Sequence, residues 1–223
     1  MGAGPVPMDA WSGWDVLVVD AVDPGGMLRQ GVLEDVRLAS ELILSQGATV
    51  VPAQLTVRCM CVESSQLLAE NRVNPSAQGG LDVSLLDRYS VRSLMSLDLR
   101  HVALKALTPP ADVLILELLA LSEEYAYEYE WIALEDGRID AIAYWFLIGW
   151  AEGVSATETL ACGNGFAGAP IGQKLDVQPG DETPPHWRQA AWMLEEGVTV
   201  HKGSVVRVRV SCIGSYLSFK ILS

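Results

Sequence analysis

The chain has 223 residues, half of them apolar, and carries 15 lysines and arginines against 28 aspartates and glutamates, a formal net charge of −13. That is enough chain to bury the core of one large domain or two small ones, and an acid surplus with no Lys/Arg cluster excludes a surface built to neutralise nucleic acid. No stretch reaches the roughly 18 apolar residues of a membrane-spanning helix, and MGAGPVPMDAWSG lacks the cationic and apolar regions of a signal peptide, so a soluble, non-membrane chain in the cytoplasm or nucleus is expected.

In chain order, Trp14-Asp15-Val16-Leu17-Val18-Val19-Asp20 is a continuous apolar run ending in an acid, which predicts a strand buried on both faces, as in a parallel sheet. Ala21-Val22-Asp23-Pro24-Gly25-Gly26 is turn chemistry at the C-terminal end of that strand, where open α/β sheets bind ligands. From Gly31 to Gln46, Val32, Leu33, Val36, Leu38, Leu42 and Ile43 fall at helical spacing, with Gly47 as the expected C-cap. Residues 50–62 read as extended, with Pro52 at an edge or bend, and 64–73 as a short helix before a loop at 74–80. The remainder reads as strands over 112–117, 129–134, 139–150, 189–194 and 205–210, with a turn at Glu135-Asp136-Gly137 and outward arginines in Val206-Arg207-Val208-Arg209-Val210. The Gly/Pro-rich stretch GNGFAGAPIGQKLDVQPGDETPP predicts a long exposed loop at about 163–185.

Chemistry-bearing residues are sparse. Cys59, Cys61, Cys162 and Cys212 contain no C-x-x-C, so reduced, packed thiols are expected and no metal site is spelled out; Cys59 and Cys61 would share one face of a strand. His101 and His201 lack partners at metal or triad spacing and read as surface histidines. His186-Trp187, behind Pro184-Pro185, is either part of a functional loop or an aromatic plug that buries about 200 Å². The stretch 123–130, alternating Glu and Tyr, suits a half-exposed strand; it also supports an alternative function, a stand-alone β-rich module that binds basic peptides through an acidic surface.

Three blocks in order, WDVLVVDAVDPGGMLRQGVLEDVRLASELILSQGATVVPAQ, PPADVLILEL, and GRIDAIAYWFLIGW with PPHWRQAAWMLEEGVTVHKGSVVRVRVS, resemble the C-terminal part of the protein arginine methyltransferases, over about residues 14–222. The third block is the most specific, and its wording is similar to the second module of a member that carries two methyltransferase modules in tandem. The resemblance implies the C-terminal remnant of a Rossmann-type methyltransferase sheet over residues 1–52 and an antiparallel β-barrel over 53–223. The family moves a methyl group from S-adenosylmethionine to a protein arginine, and its two glutamates on the loop after the fourth strand hold the guanidinium by charge-assisted hydrogen bonds.

Carried over, those positions are Asp20, with Asp23 as the alternative register, and Gln30. Aspartate is one methylene shorter, and a neutral amide at Gln30 forfeits about 1.5 kcal/mol or more of charge-assisted bonding. His186 and Trp187 carry over to the family's substrate-pocket loop, with Pro185 in place of its threonine. The glycine-rich cofactor turn would precede residue 1, and Gly25-Gly26 and Gly163-Asn164-Gly165 stand in the wrong context to replace it. The chain alone is therefore expected to bind no S-adenosylmethionine and to act as a non-catalytic, structural part of an arginine methyltransferase. Expected partners are the full protein's arginine-containing substrate and either a tandem methyltransferase module or a second copy.

Overall fold

The computed structural model describes residues 13–72, 92–149, 160–161 and 188–222. The predicted loop at 163–185, His186, Trp187 and Cys162 lie outside the described residues.

The chain opens with a βαβ unit. Strand β1 (Trp14–Val18) pairs in parallel with β2 (Leu44–Val51), and helix α1 (Val32–Leu42) connects them. The expectation of a strand buried on both faces is corrected here. Leu17 and Val19 pack on the core, but Trp14, Val16 and Val18 on the other face are 52%, 53% and 76% exposed. Among the described residues β2 is the only strand beside β1, and nothing described is packed over these three side chains. Helix α1 is also shorter than predicted. It ends at Leu42 with Ile43 as its C-cap, and Gly47, at φ +85°, lies inside β2. The helical spacing runs on through Ile43, but Leu44 pairs with Trp14 and, past an irregularity, Thr49, Val50 and Val51 pair with Val16, Leu17 and Val18, a ladder that a fourth helical turn would forfeit.

After the bend at Pro52 the chain is mostly antiparallel sheet. The larger sheet runs β4 (Ser93–Leu97), β10 (Gln189–Val200), β8 (Gly137–Gly149), β3 (Gln54–Glu63) and β5 (Lys105–Ala106), with β6 (Ala111–Glu117) on β3 and β9 (Leu160–Ala161) on β8. The smaller sheet is β12 (Tyr216–Leu222), β11 (Val205–Ile213) and β7 (Glu124–Ile132). Helix α2 (Ser65–Asn71) follows β3, and its N-cap Ser64 accepts a hydrogen bond from the Leu67 N–H at 3.2 Å. That cap is itself fixed, because the Ser64 N–H donates to the buried Asp140 carboxylate at 3.0 Å.

The apolar runs of β3 and β8 do not alternate because both faces of these strands are covered. Leu55, Val57, Cys59, Cys61, Ile142, Tyr144 and Phe146 face a core shared with the smaller sheet, the hairpin at 20–30 and α1. Met60, Val62, Ala143 and Trp145 face a second core, with Leu67 of α2 and Met193 of β10. Cys59 and Cys61 thus share a face as expected; both are free thiols, and burial pushes Cys61 up to about 12. The smaller sheet does alternate, with Val206, Val208 and Val210 inward and Arg207 and Arg209 outward.

Candidate functional site

Between β1 and α1 the chain folds back on itself. The Asp23 N–H donates to Met27 O (2.9 Å), the Gly26 N–H to Asp23 O (3.0 Å) and the Arg29 N–H to Ala21 O (2.9 Å), with Val22 bridged antiparallel to Leu28. Asp-Pro-Gly-Gly supplies the reversal, and Gly26 adopts φ +85°, which costs a residue with a Cβ dearly. Continuing the 22–28 register sets Asp20 across from Gln30 at the open end of the hairpin.

The tip of the hairpin is stitched to the larger sheet. The Arg188 N–H donates to Pro24 O at 3.0 Å and the Ser96 N–H to Gly25 O at 2.8 Å. A Cβ on Gly26 would stand 2.2 Å from the carbonyl oxygen of Arg188. Arg188 directly follows His186-Trp187, so the hairpin with Asp20 and Gln30 abuts the residue at which that stretch enters β10. The core that the hairpin's Ala21, Val22 and Leu28 join also holds an aromatic group from three strands: Tyr144 and Phe219 at 5.1 Å, and Trp192 with Tyr216 at 6.1 Å and Phe219 at 6.3 Å between ring centroids. Burial, and secondarily the charge of Asp23, pushes the Tyr144 phenol well above its ordinary value.

Two carboxylates on the hairpin are already engaged. Asp23 accepts from the Met27 N–H at 3.2 Å, closing its own turn. Asp20 accepts from Nη2 of Arg29 at 2.5 Å. The second pair is solvent-exposed, with side chains 63% (Asp20) and 48% (Arg29) accessible, so it contributes about 0–1 kcal/mol. Neither Arg29 nor the aromatic group stands out in the sequence. The turn residues between Val22 and Leu28 are the signal for Arg29, because a tight reversal there places it beside Asp20.

Gly25 and Gly26 are spent on docking, one through its carbonyl to Ser96 and the other through its N–H to Asp23 and its bare Cα against Arg188. A cleft of about 260 Å³ lies elsewhere, between α1 and the β11–β12 turn, lined by Leu33, Glu34, Arg37 and Glu123 among others. Among the described residues no group of three His, Cys, Asp or Glu side chains is placed to hold a metal, and no helix is long and apolar enough to cross a membrane. His101 and His201 are surface groups, 3.8 Å from Asp98 and 3.6 Å from Asp136. In the acidic stretch, Glu128 and Glu130 are paired with Arg209 and Arg207 of the neighbouring strand, which leaves less charge for a basic ligand.

Comparison with known proteins gives a consistent answer. No family model matches the chain. It is 25% identical over 214 residues to Protein arginine N-methyltransferase 9 of Xenopus laevis, covering 93% of this chain and 23% of that protein. With the human protein of the same name the figures are 24% over 193 residues, 85% of this chain and 20% of that one. With the arginine N(omega)-methyltransferase of Streptomyces achromogenes subsp. streptozoticus they are 25% over 197 residues, 88% and 48%. The chain thus spans from about a fifth to about half of the length of these relatives. In fold it resembles a chain of the Trypanosoma brucei PRMT1 enzyme-prozyme heterotetrameric complex with AdoHcy, with TM-score 0.61 and 13% identity over 89% of this chain and 59% of that one. Over most of its length, then, this chain is similar to the C-terminal part of the protein arginine methyltransferases.

Proposed function

We propose that the chain is the barrel-side part of a protein arginine methyltransferase in which the arginine pocket has lost its second carboxylate, so that this part supports methyl transfer carried out by another module. On this reading β1, α1 and β2 are the end of a Rossmann-type sheet, whose further strands would pair along the other edge of β1 and whose helices would cover the exposed face of Trp14, Val16 and Val18. Association with a tandem module or a second copy is part of the same reading, supported by the heterotetrameric assembly of the structural neighbour.

The observation that carries the reading is the open end of the hairpin. Methyl transfer to a guanidinium nitrogen requires the group to be oriented and its charge localised, which two carboxylates accomplish through paired hydrogen bonds. Here one carboxylate, Asp20, is engaged by Arg29 of the same hairpin, and the facing position is the amide Gln30. S-adenosylmethionine would supply the methyl sulfonium; what this chain contributes is a docked hairpin and an aromatic group, which shape a wall but do not hold a cation.

Isothermal titration of the purified chain with S-adenosylmethionine tests the reading, paired with a radiolabelled methyl-transfer assay on an arginine-rich peptide. Neither heat of binding nor label transfer is expected. Micromolar affinity for the cofactor, or label on the peptide, would overturn it.

A further inference from the structure

Helix α1 begins without a cap of its own. Its N-cap is Gly31, at φ +78°, which has no side chain to accept from the first-turn N–H groups. The acceptor arrives from the far end of the chain. Ser215, in the turn between β11 and β12, accepts from the Leu33 N–H at 3.1 Å, a contact that spans 182 positions. Its hydroxyl donates in turn to Oε2 of Glu34 at 2.6 Å. Leu33 and Glu34 are the second and third helical residues, so a hydroxyl from a separate chain segment caps the first turn and is itself held by the helix's own glutamate.

The turn is shaped for this approach. Gly214 adopts φ +54°, and a Cβ there would stand 2.1 Å from Oε1 of Glu34. Its N–H donates to Glu123 O at 3.1 Å, and Glu123 pairs with Arg37 one helical turn along α1 at 2.8 Å. Three segments are thereby tied together at the start of the helix. That start is also the end of the hairpin, since Gly31 directly follows Gln30 and the Val32 N–H donates to Arg29 O at 3.1 Å.

We infer that Ser215 is a positioning residue for the hairpin at 20–30: the barrel clamps the hairpin's tip through Arg188 and Ser96 and its base through Ser215, so that the spacing of Asp20, Arg29 and Gln30 is set by the barrel. The inference gives a role to the site proposed above and rests on that reading for its functional meaning, but the clamp itself is a property of the hairpin and can be measured without any ligand.

The test is residue-resolved amide hydrogen exchange on the full chain, comparing the native protein with Ser215→Ala and Ser215→Thr. Three amides are followed: Leu33, which donates to Ser215; Arg29, at the hairpin base; and Val57 in β3, as a reporter of global opening. In Ser215→Ala the Leu33 and Arg29 amides are expected to exchange about twofold to thirtyfold faster, the range set by the loss of an N-cap, while Val57 changes less. Ser215→Thr, which retains the hydroxyl, restores both. Acceleration confined to Leu33 with Arg29 unchanged overturns the inference, because Ser215 would then cap the helix without positioning the hairpin. Equal acceleration of all three amides overturns it as well. Neither result bears on cofactor or arginine binding, so failure here is distinguishable from failure of the proposed function.

Discussion

Gly214→Ala isolates the contact between the β11–β12 turn and α1 from the conformational demand of the turn. Two costs are expected. Placing an alanine at φ +54° costs about 1–2 kcal/mol. The added Cβ also meets Oε1 of Glu34 at 2.1 Å, so the glutamate must swing away, which forfeits its hydrogen bond from Ser215 at about 0.5–1.5 kcal/mol. Gly203 supplies the control. Its φ is +83°, and a methyl placed there would meet nothing within 4 Å, so Gly203→Ala should carry only the backbone cost. The expected destabilisations are therefore about 1.5–3.5 kcal/mol for Gly214→Ala and about 1–2 kcal/mol for Gly203→Ala, or about 2–4 °C in Tm per kcal/mol for a chain of this size. Urea unfolding with a common m-value is the assay. Equal midpoints for the two variants would refute the contact, since only the shared left-handed backbone would then matter.

Three other perturbations bear on the architecture. Gly26→Ala puts a Cβ 2.2 Å from the Arg188 carbonyl oxygen and should detach the hairpin tip from β10; loss of protection at the Arg188 and Ser96 amides, with the β3 amides still protected, is the expected exchange result. The indole N–H of Trp145 finds no acceptor among the described residues although the side chain is fully buried, so Trp145→Phe relieves an unsatisfied donor and should cost under about 2 kcal/mol in urea, against about 3–5 kcal/mol for Trp145→Ala. Asp98 is held below the ordinary carboxylate range chiefly by the hydrogen bond from Arg100, so its contribution is present above the unfolded-state value of about 3.9 and is lost as pH falls through the lower folded-state value; the stability gap between native protein and Asp98→Asn should close on acidification below about pH 4, and a gap independent of pH would contradict the assignment.

Much of the fold is legible in the sequence because strand and helix periods are local properties. The outward arginines of β11, the turn at Glu135-Asp136-Gly137 and the short helix capped by Ser64 all follow from spacing over a few residues. The departures share a cause. The run from Trp14 to Val19 is as apolar as a strand covered on both faces, yet hydrophobicity does not say whether the covering element is present, and one face of β1 is open. The end of α1 departs from expectation because Leu42, Ile43 and Gly47 fit a helical pattern, whereas pairing of 44–51 with β1 decides the conformation. Ser215 offers no local signal at all, because its meaning depends on a contact 182 positions away. The resemblance nominates Asp20 and Gln30 but not Arg29, whose place beside Asp20 follows from the tight turn between Val22 and Leu28.

On the proposed function, two features would weaken the hairpin as a guanidinium site, and their magnitudes differ. The Asp20–Arg29 pair is solvent-exposed on both sides, so a competing guanidinium has to offset about 1 kcal/mol at most, roughly a fivefold loss of affinity. The neutral Gln30 removes a charged partner altogether, and a hydrogen bond to a charged group is worth about 1.5–3 kcal/mol, or about 10- to 100-fold. The missing carboxylate therefore outweighs the occupied one. In a titration with an arginine-containing peptide followed by the Asp20 amide shift, Gln30→Glu is expected to improve affinity more than Arg29→Ala does. If Arg29→Ala alone gave the larger gain, the native hairpin would be better described as a guanidinium site held closed by its own arginine than as one that has lost half of its charge.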